Sequence, residues 1–145
     1  MSVTNWRVKS YYNRFWEHYH KAKEALNEGD LPQAAEKIWG AVSAFVNVFS
    51  LVEHREPRIS DKRKKEALCE FVERNIQHDS ELRTLVNDFS RGHIGTLADA
   101  LEKLHKFFYG GSRLSDEDLK RFLECGVKLL SILARHIRAI MAEGL

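Results

Sequence analysis

Proline is scarce in this chain: two residues in 145, beside eight glycines and two cysteines. So few helix breakers count against a turn-rich β fold and leave room for long uninterrupted helices. The cysteines, Cys69 and Cys125, have neither metal spacing nor the framework of a disulfide-stapled domain, so both read as free thiols in a reducing cytosol. No charge-free stretch is long enough to span a bilayer. The longest, Ile38 to Val52, is interrupted by Ser43, Asn47 and Ser50 and reads as a buried helix. The first residues, MSVTNWRVK, lack an apolar core, so no secretory signal is expected there. Strong charge of one sign is missing too: a net charge of +2 does not by itself imply nucleic acid. What is present, 43% hydrophobic and 30% charged residues, is the composition of an ordinary globular protein. The expectation is one cytoplasmic domain over residues 1–145 with a single core and no membrane attachment.

Apolar residues recur with a 3.6-residue period almost throughout, and no segment sustains period-2 alternation. The spacing predicts a first helix over about residues 3–28, with Val8, Tyr12, Phe15, Tyr19, Ala22 and Leu26 inward. Gly29 ends it, and Asp30-Leu31-Pro32-Gln33 has the form of a capping box with proline in the first turn. A second helix follows over about 31–53, with Ile38, Ala41, Val42, Phe45, Val48, Phe49 and Val52 on one face. Trp39 and Val46 lie about 100–120° from that face. A helix apolar on more than one side is either central in a bundle or at a subunit interface. Residues 54–60 read as a loop, and Ser60 or Asp61 caps a helix expected over about 61–78 that buries Leu68, Phe71, Val72 and Ile76. A short helix carries Leu82, Leu85, Val86 and Phe89, and another is expected over about 95–109 with Leu97, Leu101, Leu104, His105 and Phe108 inward. Ser115 to Asp118 is an S-x-x-D box that opens a last helix over about 116–142. The fold class is all-α, a compact bundle of five to six helices.

Few residues carry a recognisable chemistry. Two E-x-x-H pairs, Glu17/His20 and Glu102/His105, have the spacing of carboxylate-bridged metal bundles. On the first helix, however, Glu17 and His20 point away from the apolar face, and on the later one Glu102 lies on the flank, so no metal site is expected. An R-x4–6-H pair of the kind some helical nucleases use occurs once, as Arg14 and His20. Six residues on a helix diverge by about 120°, whereas Arg14 and His18, four apart, share a side. Arg14, His18 and His20 are therefore the candidates for catalysis, with a solvated helix flank as the plainer reading. No nucleophile elbow, phosphate loop or cofactor-binding motif is present, and Gly110-Gly111 reads as a helix end.

Charge is concentrated in one place. His54 to Lys65 holds Arg55, Arg58, Lys62, Arg63, Lys64 and Lys65 against only Glu56 and Asp61, which leaves the rest of the chain net acidic. Cations in a first helical turn oppose the macrodipole, so their placement points to an anionic partner or to a solvated face. His105 sits on an apolar face before Lys106 and the run Phe107-Phe108-Tyr109, where a hydrogen-bonded core histidine is the ordinary outcome and a ligand contact the rarer one.

Two segments resemble the archaeal PaREP family, in its first numbered class. Gly29 to Val46, GDLPQAAEKIWGAVSAFV, has that family's GD turn, Gln-Ala pair and E-K-x-W-G-A core; Leu97 to Tyr109, LADALEKLHKFFY, has its A-x-x-L-H-x-x-F-Y segment. The family is similar in turn to HEPN domains, helical bundles that commonly dimerise. Some of these bind nucleotides or cleave RNA, often beside a nucleotidyltransferase-like partner in toxin–antitoxin pairs. The resemblance implies a HEPN-like bundle, an archaeal cytosolic setting and a homodimer. It carries no catalysis over, because the R-x4–6-H motif of nuclease members is missing from the later helices. The matching positions worth testing as a cleft or interface are Lys37, Trp39, His105 and Tyr109, to which the second apolar side of helix 2 adds Val46. The expectation is thus a non-enzymatic HEPN-like interaction module that contacts nucleotide or RNA. The alternatives are a divergent ribonuclease, using Arg14 with His18 or His20, and a toxin–antitoxin subunit.

Overall fold

The computed structural model describes residues 3–90, 99, 101 and 115–143. Among them the chain forms five helices and no strand: α1 (Val3–Glu28), α2 (Leu31–His54), α3 (Asp61–Asn75), α4 (Ser80–Ser90) and α5 (Asp116–Ala142). The helix expected over 95–109 falls outside this set except for Asp99 and Leu101, both helical, with Leu101 buried.

The helix ends follow from local chemistry. Gly29 adopts φ +75°, a conformation costly for any residue with a Cβ, and lets the Asp30 N–H turn back to the Ala25 carbonyl at 2.9 Å. Asp30 then caps α2 by accepting from the Gln33 N–H, and proline sits in the first turn. Ser60 caps α3 from the Arg63 N–H, and Ser115 caps α5 from the Asp118 N–H. The α3 helix stops at Asn75 rather than running to residue 78. There the Asn75 side chain donates to the Phe71 carbonyl, and Arg83 takes the carbonyls of Ile76 and Gln77.

Helix α2 is the centre. It packs most extensively on α1, then on α5 and α3, while α4 packs on α5. Its length and composition would allow a membrane crossing, but most of its apolar window is buried inside the bundle. Trp39 and Val46 are both buried within the one chain, so the second apolar side of α2 is used in the bundle. Val52, expected inward, is exposed at the end of the helix. An aromatic series joins the layers: Phe15 of α1 meets Phe45 of α2, Phe45 and Phe49 meet Phe71 of α3, and Phe71 meets His136 of α5. Close approach to α5 depends on Gly126, where a Cβ would lie 2.8 Å from the Ile38 side chain.

Candidate functional site

The chemistry-bearing residues converge where α1, α2 and the α2–α3 connection meet. A cleft of about 370 Å³ opens there. From α1 it is lined by Tyr11, Arg14 and His18; from α2 by Trp39, Gly40, Ser43, Ala44 and Asn47; from the connection and first turn of α3 by Arg58, Ile59, Asp61 and Lys64. Three cations thus face one carboxylate.

Each wall has a structural reason. Tyr11, Arg14 and His18 follow i, i+3, i+7 spacing and share one side of α1. The Arg14 guanidinium lies 5.2 Å from the Tyr11 ring centroid, which steadies it at the mouth. The α2 floor is the stripe Gly40, Ser43 and Asn47, again i, i+3, i+7, the polar interruption in an otherwise apolar helix. Gly40 allows a close approach: a Cβ there would lie 3.0 Å from Cγ and Nδ1 of His18. The imidazole rests on the α2 backbone. Asn47, buried, accepts the Arg58 backbone N–H through Oδ1 and so fixes the loop that carries the third wall.

The polar atoms of this cleft are under-satisfied. Among the described residues, His18 Nδ1, Ser43 Oγ and Arg58 Nε are buried and have no hydrogen-bond partner. Unpaired buried polar groups are uncommon, and three around one cleft ask for a ligand or water oxygen. Burial, helped by the nearby Lys37 ammonium, pushes the His18 imidazole below its usual pKa of 6.5. A second proton would place an N–H on Nδ1, where nothing accepts it. A neutral ring offers one nitrogen as donor and the other as acceptor.

The sequence candidates divide accordingly. Arg14, His18, Trp39, Arg58 and Lys64 come together. His20 does not: it is exposed and stacks on Trp16 on another flank of α1. Glu17 is exposed and paired to Lys21 at 2.9 Å. Lys37 lies outside the cleft lining, 3.1 Å from Glu36 Oε2. Val46 is interior. Of the basic segment, Arg55, Lys62 and Arg63 are exposed, and Lys65 is bound to Asp99 at 3.3 Å. His105 and Tyr109 lie outside the described residues. Tyr11, Ser43 and Asn47 are functional candidates that the sequence reading missed, although the polar stripe on a charge-free helix was a usable signal. Two other hollows, an apolar groove around Leu26, Leu31 and Leu123 and another between α4 and α5, contain no such group of unpaired atoms among the described residues. The second of these borders Cys125, whose thiol burial pushes up to about 12.

Fold and site together define an all-α bundle domain with a donor-rich cleft between its first two helices. The chain belongs to the archaeal PaREP1/PaREP8 family, whose model matches residues 10–123 and so takes in every cleft residue. Comparison with curated proteins and with solved structures returns no match.

Proposed function

We propose that this chain is a HEPN-like, non-enzymatic interaction module whose α1–α2 cleft holds a phosphate group of a nucleotide or RNA. The observation that carries the reading is the buried, unpartnered Arg58 Nε in a cleft shared with Arg14 and Lys64. A guanidinium edge matches phosphate oxygens, and a loop clamped by Asn47 holds it ready. The HEPN likeness, the cytoplasmic setting, the homodimer and a nucleotidyltransferase-like partner rest on the family resemblance. With Trp39 and Val46 buried, a second copy has to dock elsewhere on the surface.

The test is calorimetric titration with inorganic phosphate, nucleoside monophosphates and a short RNA. Arg58→Ala should weaken binding by about 1.5–3 kcal/mol, the range for hydrogen bonds to charged groups. Absence of binding by the folded wild type, or equal binding by the variant, would overturn the reading.

A ribonuclease is the second reading, because the cleft does bring Arg14 and His18 together. Against it, His20, the histidine of the R-x5-H pair, lies outside the cleft and stacks on Trp16. Cleavage of RNA in metal-free buffer that is lost in His18→Gln would favour this reading over the first.

A further inference from the structure

We propose that the cleft selects ligands bearing a sugar hydroxyl next to the phosphate, and that Ser43 is the residue that reads it; this rests on the phosphate-binding reading above. The walls of the cleft differ in chemistry. Arg14, Arg58 and Lys64 are cations suited to an anion, whereas the α2 floor is neutral. Within that floor Ser43 Oγ is buried and has no partner, not even the carbonyl one turn back that helical serines often use. A neutral hydroxyl adds little to holding a phosphate already met by three cations. It is suited to a neutral group that both donates and accepts, and a serine turns its oxygen about a single bond to meet one.

Position supports the same assignment. Asn47, one turn after Ser43, accepts the Arg58 backbone N–H, so the guanidinium wall is fastened to the helix that carries the hydroxyl. The volume of about 370 Å³ is at the small end of the roughly 300–1,000 Å³ typical of ligand cavities. That is room for one phosphorylated sugar with its base turned outward. The discriminating group on such a ligand is the ribose 2′-hydroxyl, which separates ribonucleotides from deoxyribonucleotides.

The experiment is parallel calorimetry of the whole chain with ribonucleoside 3′-monophosphates, their 2′-deoxy counterparts and inorganic phosphate, for wild type, Ser43→Ala and Arg58→Ala. Wild type should bind the ribo forms about 10-fold tighter than the deoxy forms, the discrimination expected of one hydrogen bond. Ser43→Ala should bring the ribo affinity down to the deoxy level. Equal affinity for the two sugars on wild type, or a Ser43→Ala loss shared by both, overturns this proposal while Arg58-dependent phosphate binding still stands. No binding of any probe removes the phosphate reading itself, and this proposal with it. Matched thermal melts of the variants show that affinities are compared between folded proteins.

Discussion

The seat of His18 on Gly40 is a contact in which two residues define each other. A Cβ at position 40 would lie 3.0 Å from the ring, so α1 and α2 could keep this approach with a side chain there only if the imidazole gave way. This accounts for a glycine in the interior of an α2 that otherwise favours helix, despite a usual cost of about 1 kcal/mol against alanine. Gly40→Ala should nonetheless destabilise the protein by about 1–3 kcal/mol, the range for overpacking, because the imidazole must move. His18→Ala empties the seat, so the double variant should recover most of that loss. Denaturant unfolding of the four proteins measures the coupling. Additive effects of the two changes would mean that the ring is not held by this contact.

Beyond the packing of its apolar face, the start of helix α4 is tied to α5 by one carboxylate. Asp79, just before its first residue, accepts from the Leu82 N–H at 3.0 Å and lies 2.6 Å from His136 Nε2 and 3.3 Å from Arg135 Nη2 on α5. Burial alone would raise its pKa, but the hydrogen bonds from His136, Leu82 and Arg135 outweigh it and hold the carboxyl below 3.8. A carboxyl depressed in the folded state stabilises the fold fully above its unfolded value and loses that contribution as pH falls through the folded one. Stability should therefore drop as pH falls below about 3.8. Asp79→Asn should be less stable by about 1.5–3 kcal/mol at neutral pH and respond less to acid in that range. Denaturant midpoints from pH 7 to 2.5 check this, and identical acid slopes would dismiss it. Most element boundaries were legible, because caps such as Ser60 and Ser115 act within three residues. This node was not. Asp79 and His136 are far apart in sequence, and only the return of α5 across the α3–α4 turn brings them together. The cleft was half legible for the same reason. Arg14 with His18, and the basic segment, stood out as separate local patterns, but nothing local says that α1 and the start of α3 meet over one side of α2.

At the scale of the molecule the question is how many of the clustered cations bind an anion together. The net charge of +2 gives no strong general attraction, so any affinity for RNA has to come from specific placement. The fold divides the six cations of the basic segment: Arg58 and Lys64 line the cleft, Arg55, Lys62 and Arg63 are exposed, and Lys65 is occupied by Asp99. Arg14 joins the cleft from α1. Counterion release makes this division measurable, since each phosphate neutralised on a single strand contributes about −0.7 to the slope of log K against log salt. If the cleft alone binds, the one phosphate it holds gives a slope of about −0.7. If the whole basic segment tracks a strand, six give about −4. The expected slope is the smaller one, measured on a short single-stranded RNA between 50 and 300 mM salt (roughly the range over which such slopes are linear). Changing Arg55, Lys62 and Arg63 together to Ala should leave it unchanged, whereas Arg58→Ala should weaken binding at every salt concentration. A steep slope that collapses in the triple variant would move the interface from the cleft to the exposed face of α3.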